Sequence, residues 1–123
     1  MRKPTIVLGA NANPERYAYK AVDFLQSINQ PVYPVGNKKG EVLGLEILPD
    51  FNHIKADDDI HTVTLYLNPE NQRGWYKPIL DLNPKRVIFN PGTENQEFET
   101  MLEEKGIEVE EACTLTMVRV GLF

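Results

Sequence analysis

The chain has 123 residues, 41% of them apolar and 25% charged, and a net charge of −5. That length builds one core, so a single domain over residues 1–123 is expected. The acidic balance argues against a nucleic-acid partner, since phosphate backbones call for clustered Lys and Arg. No apolar run approaches the ~20 residues of a membrane span, and MRKPTIVLGA lacks the plan of a signal peptide. The lone cysteine, Cys113, rules out an intramolecular disulfide and fits a reducing cytoplasm.

The β-branched run Thr5-Ile6-Val7-Leu8, stopped by Gly9, predicts a first strand. Tyr17, Ala21, Phe24, Leu25 and Ile28 fall at helical spacing and predict a helix covering one face of a sheet. Residues 31–35 predict a second strand, stopped by Gly36-Asn37. The stretch that follows holds no clean helix; it predicts a small strand near Glu46-Ile47 and a helical turn around Asp50–Ile54. His61 to Leu67 reads as a third strand, stopped by Asn68-Pro69. Trp75, Ile79, Leu80 and Leu82 predict a second helix that Gly74 and Pro78 kink or shorten. Arg86-Val87-Ile88-Phe89 is a fourth strand, stopped by Asn90-Pro91-Gly92. Phe98, Met101 and Leu102 stripe a third helix, ended by Gly106 just beyond its cap, and Ile107-Glu108-Val109 is a short fifth strand. The apolar tail TLTMVRVGLF has two destinations open to it, its own sheet or a second subunit of a homo-oligomer. Strands alternating with helices at this length predict an α/β fold, a Rossmann-like open parallel sheet of about five strands with helices on both faces.

In such a sheet a ligand lies outside the C-terminal strand ends, at the switch in strand order. Asn13-Pro14-Glu15, Asn68-Pro69-Glu70 and Asn90-Pro91-Gly92 follow three of the strands, each pairing a helix-capping Asn with a Pro suited to the first helical turn. Thr93 and Gln96 have the spacing of a capping box before the third helix. Several helix N-termini, each with free N–H groups and partial positive charge, are thus expected at one edge. A dinucleotide fingerprint laid on Gly9 gives Gly9, Asn11 and Pro14, one glycine of three. The acid that grips a ribose hydroxyl after the second strand is missing too; Gly36-Asn37-Lys38-Lys39 stands there, which suits a phosphate on the ribose. An ordinary NAD enzyme is disfavoured.

The stretches TIVLGANANPERYAYKAVDFL, VYPVGNKKGEVLG, LYLNPEN, VIFNPGTENQE and the segment around Cys113 carry a resemblance. In that order, over nearly the whole chain, they resemble the small stand-alone coenzyme A-binding proteins. These Rossmann-like domains are similar to the CoA-binding domain of the succinyl-CoA synthetase α subunit. The resemblance implies that Gly9, Ala10, Asn11 and Asn13 meet the nucleotide's phosphates with backbone N–H groups, with Lys20, one turn past Arg16, adding charge. It implies that Pro34, Val35, Gly36, Asn37 and Lys38 form the loop for the adenosine end, where Lys38 meets the 3′-phosphate of CoA. Relatives usually read Pro-Val-Asn-Pro-Lys in that loop, and Gly36-Asn37 departs from them. Leu67, Asn68 and Pro69 would flank the adenine or the pantetheine, and Asn90, Pro91 and Gly92 would close the crevice.

The synthetase's phosphorylated histidine has no counterpart at the expected edge: His61 opens the third strand at the opposite end and His53 lies in the irregular connection. Cys113 reads as a small buried residue, although its place after the fifth strand leaves a thiol role open. Asp57-Asp58-Asp59 precedes the third strand, the wrong edge for a receiver domain's acidic cluster, and reads as a solvated turn. Tyr17, Tyr19, Tyr33, Tyr66 and Trp75, lacking a basic surface around them, read as core contacts rather than base-stacking platforms. The expected function is a binding module for CoA or acyl-CoA, a small-molecule nucleotide ligand, with no catalytic residue and no metal site. Two alternatives stand beside it: an NAD(P)-type Rossmann domain holding a 2′-phosphate on Lys38 and Lys39, and a regulatory or interaction domain that has lost its ligand.

Overall fold

The computed structural model describes residues 1–54 and 58–123. In chain order it contains β1 (Thr5–Leu8), α1 (Tyr17–Ser27), β2 (Val32–Val35), β3 (Glu41–Val42), β4 (Leu45–Glu46) and a 3-10 turn at Phe51–His53. There follow β5 (Thr62–Leu65), α2 (Pro69–Gln72), a 3-10 turn at Arg73–Trp75, α3 (Tyr76–Leu82), β6 (Arg86–Phe89), α4 (Gln96–Glu104), β7 (Glu108–Glu111) and α5 (Thr114–Arg119). The main sheet has the order β2-β1-β5-β6-β7, and every neighbouring pair is parallel. β1, β5 and β6 are buried at every position. Strands covered on both faces read as unbroken apolar or β-branched runs, which is why they were legible.

Side chains leave a strand on alternate faces, and the two cores follow that period. Ile6, Leu8, Val63, Leu65, Val87 and Phe89 point to one side, where Ile79 of α3 and Phe98 and Leu102 of α4 cover them. Val7 and Ile88 point to the other, under Ala18, Ala21, Val22 and Leu25 of α1 and Leu115 of α5. The buried stripe of α1 is therefore shifted from the one expected. Tyr17, its first residue, is 68% exposed, and Ile28 also reaches solvent. Position 18 rather than 17 faces the sheet.

Several boundaries differ from expectation. The third strand ends at Leu65, so Tyr66 and Leu67 belong to the loop beyond it. The fifth runs over Glu108–Glu111. The small strand near Glu46 is half of an antiparallel hairpin with Glu41–Val42. Its two-residue turn places both Leu43 (φ 50) and Gly44 (φ 83) in the left-handed region, the twist a tight hairpin needs. The second helix divides into α2, a 3-10 turn through Gly74, and α3. Asn95, not Thr93, caps α4: its side chain accepts from Phe98 N at 3.2 Å, and Glu99 Oε2 accepts from Asn95 N at 3.1 Å. Gly106 (φ 80) closes that helix as expected, with bonds from Gly106 N to Glu103 O and from Ile107 N to Leu102 O. The apolar tail forms α5 and lies on its own sheet beside α1, with Thr114, Leu115 and Phe123 buried. Asp57 of the acidic run lies outside the described residues. Asp58 pairs with Arg2 at 2.8 Å and accepts from the Tyr33 hydroxyl, below the sheet edge opposite the C-terminal strand ends. Among the described residues no helix is long and apolar enough to cross a membrane.

Candidate functional site

Strand order reverses between β1, whose connection runs outward to β2, and β5, whose connection runs the other way to β6. Above that point opens a crevice of about 540 Å³. Its floor exists because Gly9 has no side chain. With φ +95, a Cβ there would lie 2.9 Å from Tyr66 O and 3.1 Å from a Leu67 methyl, so only glycine lets the loops after β1 and β5 pass so closely. At Gly36 a Cβ would stand 3.2 Å from Ala10 N, which brings the loop after β2 against the loop after β1.

The same closeness overturns one expectation. Gly9 N and Ala10 N do not face a ligand as free donors; both donate to Val35 O, at 2.9 and 3.1 Å, because β1–β2 pairing continues past the strands. Gly9, Ala10 and Asn11 shape the wall, and the open donors come from the start of α1 instead. Arg16 occupies that helix's cap position without any side-chain bond, and Arg16, Tyr17 and Ala18 line the crevice. An N-terminus left uncapped carries partial positive charge and unpaired N–H groups. Asn13 is not the cap. Its Oδ1 accepts from Glu15 N at 3.0 Å and Asn11 Oδ1 accepts from Asn13 N at 2.9 Å, two successive side-chain turns that stiffen the loop, with Asn13 itself outside the crevice lining. Lys20 is outside the lining as well; its ammonium lies 5.5 Å over the exposed Tyr17 ring.

On the β2 side Asn37 and Lys38 line the space, whereas Pro34, Val35 and Gly36 are strand and packing residues behind it. Arg16 and Lys38 form no ion pair among the described residues. No described carboxylate lines the crevice, in a chain of net charge −5. The opposite wall is Tyr66, Leu67, Asn68 and Asn71, then Pro91, Gly92 and Thr93. Asn68 is the cap of α2 that its sequence implied, accepting from Asn71 N at 2.9 Å, with Pro69 in the first turn facing away from the crevice.

Asn90 does not close the crevice. It is 3% exposed, and its amide donates to Thr64 Oγ1 (2.6 Å) and Leu65 O (2.9 Å) and accepts from Thr114 N (2.8 Å). It staples β6 to β5 and to the start of α5. Beside that staple, Thr64 and Thr114 share a hydrogen bond of 2.7 Å, and the buried Tyr66 hydroxyl lies next to both without a bond of good geometry; burial drives its phenol far above the ordinary range. Arg16, Tyr17, Ala18, Tyr66, Asn71 and Thr93 complete the lining beyond the expected set.

Cys113 stands before α5, outside the crevice lining. Partial burial raises its thiol, but the Thr116 hydroxyl and the N–H groups of Thr116 and Leu115 outweigh this and hold it below the usual value. His53 pairs with Asp50 at 2.8 Å on an exposed turn. His61 meets Thr62 Oγ1 at 2.8 Å at the far sheet edge, its imidazole held below the usual value by burial, then by Arg86 and Lys3. Neither histidine lines the crevice.

A five-stranded parallel sheet with an anion-complementary crevice at its switch point defines a Rossmann-like domain. The chain belongs to the CoA-binding-domain family, whose model matches residues 3–119. A crystal structure of an uncharacterized protein is similar over 100% of this chain and 99% of that one, at 50% identity and TM-score 0.94. A hypothetical protein from Pyrococcus horikoshii OT3 is similar over 98% of this chain and 83% of its own, at 29% identity and TM-score 0.84. The dinucleotide-forming acetyl-coenzyme A synthetase 1 of Ca. Korarchaeum cryptofilum, in complex with phosphate and ADP, shares the fold. That similarity covers 89% of this chain and 25% of that one, at 17% identity and TM-score 0.71. No curated protein matches the sequence.

Proposed function

We propose that the crevice holds coenzyme A or an acyl-CoA, and that the chain is a binding module rather than an enzyme. The observation that carries this reading is the pairing of Arg16, Lys38 and the uncapped start of α1 on a crevice without carboxylates, in a member of the CoA-binding-domain family. The pyrophosphate lies against the first turn of α1 and Arg16, and Lys38 meets the 3′-phosphate. Asn11 and Asn37 flank the nucleotide, Leu67 and Asn68 border the adenine or the pantetheine, and Pro91 and Gly92 border the path of the pantetheine. Gly9, Ala10, Pro34, Val35, Gly36 and Asn90 act behind the wall, as spacers and staples. No described histidine, cysteine or carboxylate lines the crevice, the Tyr66 hydroxyl is buried, and Thr93 Oγ1 donates to Asn90 O at 2.7 Å, which supports a binding role over a catalytic one. The single thiol fits a reducing cytoplasm.

Thermal scans test this directly. Ligand at a hundred times its Kd adds ~2.7 kcal/mol, which for a domain of this size raises Tm by roughly 3–8 °C. CoA and acetyl-CoA give that shift; NAD and NADP do not. An equal shift with NADP alone moves the reading to a 2′-phosphate site, and a flat response to all four ligands to a domain without its ligand.

A further inference from the structure

Gln72 is fully buried, yet it lines neither crevice nor surface. Each of the three hydrogen bonds of its amide goes to a wall segment or its support. Nε2 donates to Leu67 O at 2.8 Å and to Thr93 O at 2.7 Å, and Oε1 accepts from Asn95 Nδ2 at 2.9 Å. Leu67 follows β5 and Thr93 follows β6, and both line the crevice. Two carbonyl oxygens facing one another repel; a shared amide between them converts that repulsion into a clasp. Asn95 anchors the clasp to α4, whose first turn it caps through Phe98 N. The sequence gives a buried glutamine no reason to end a four-residue helix unless its amide is wanted there.

We infer that Gln72 is the positioning residue for the half of the crevice formed by Leu67, Asn71 and Thr93, and that this half takes the pantetheine arm. The other half, built by α1 and by the loops after β1 and β2, takes the adenosine 3′,5′-bisphosphate end. The inference rests on the CoA reading above and adds a division of labour to it. The nucleotide end brings charge that Arg16 and Lys38 meet from flexible side chains. The pantetheine arm is neutral and amide-bearing, so its recognition depends on walls held at a fixed spacing. Gln72 sets that spacing and touches nothing on the cationic side.

Calorimetric titration of CoA and of adenosine 3′,5′-bisphosphate against wild type, Gln72→Glu and Gln72→Met separates the halves. Gln72→Glu sets a carboxylate oxygen against the two carbonyls, and Gln72→Met removes the donors at similar length. In either folded variant CoA binding weakens about tenfold or more, while the bisphosphate stays within about threefold of wild type. A purely structural role would weaken both ligands alike. Should both substitutions prevent folding, Asn95→Ser keeps a capping oxygen for α4 while removing the amide that holds Gln72 Oε1. It weakens CoA binding by roughly threefold and leaves the bisphosphate at the wild-type affinity. Equal losses for the two ligands, or none, in a folded variant overturn the inference and leave the CoA reading intact. A wild type that binds neither ligand overturns both.

Discussion

Replacing Asn90 by Asp tests the reassignment of a residue that its position had marked as a ligand contact. The change is nearly isosteric, but the amide that donates to Thr64 Oγ1 and Leu65 O becomes an acceptor, in a site only 3% exposed. The bond from Thr114 N to Oδ1 survives. Two costs follow. Losing the donation to a backbone carbonyl costs about 1–3 kcal/mol once the carboxyl is ionised, whereas the protonated carboxyl keeps one O–H to donate. Ionising a buried carboxylate raises its folded pKa above the ordinary ~3.9, and a rise of about 2 units is worth ~3 kcal/mol. The sign follows from linkage: a carboxyl with a raised folded pKa carries no ionisation penalty below its unfolded value. The penalty grows as pH rises from about 4 to about 6 and is constant above. Urea unfolding of wild type and Asn90→Asp at pH 4 and pH 7.5 therefore shows a deficit at neutral pH that is larger by ~2 kcal/mol. Calorimetry on the folded variant leaves CoA affinity within about twofold of wild type, since the side chain points into the sheet. An identical deficit at both pH values refutes the desolvation reasoning, and a selective loss of CoA affinity restores Asn90 to the ligand site.

Lys38→Ala weakens CoA binding by roughly tenfold, the low end for a charge-assisted hydrogen bond because the side chain is exposed, and leaves dephospho-CoA almost unchanged. Equal losses for the two ligands in a double-mutant cycle would move Lys38 off the 3′-phosphate. Glu99→Gln concerns the α4 cap: burial first, then the neighbouring carboxylates Glu111 and Glu103, hold the Glu99 carboxyl above the usual range. Its folded pKa is raised, so the wild type loses stability as pH rises through the carboxylate range. The variant, which still offers an oxygen to Asn95 N, gains relative stability over that same window, and a pH-independent difference in urea midpoints contradicts this.

What could be read from the residues, and what could not, divides along a physical line. Strands buried on both faces announce themselves as runs such as Thr5–Leu8 and Arg86–Phe89, and their alternation with helices carries the topology. Asn68 and Gly106 act through bonds within a few residues of themselves, so their roles are also legible locally. Gly9 N and Asn90 are different: whether they face a ligand depends on what already occupies their bonds, and Val35 O and Thr64 are distant in sequence. Gln72 has no local signature at all, since its partners belong to two other loops. Tyr17 looked like part of a core stripe because helical periodicity fixes the spacing of a face but not which neighbouring face meets the sheet. The tail escaped as a helix because TLTMV is rich in β-branched residues and α5 spans six residues, too short for a periodic signal.

The β1–β5 pairing has a consequence for how the molecule assembles. β1 with α1 and β2 forms one right-handed unit, and β5, β6 and β7 with α3 and α4 form another, each closing comparatively short loops. Only the seam between β1 and β5 joins partners separated by the whole intervening unit and the hairpin, so it has the largest loop-closure entropy of any ladder in the sheet. A ligand seated over that seam touches both units at once. It acts as a clamp on the joint with the highest closure cost, so occupancy and cooperativity of the two halves are one property of the same line of contact.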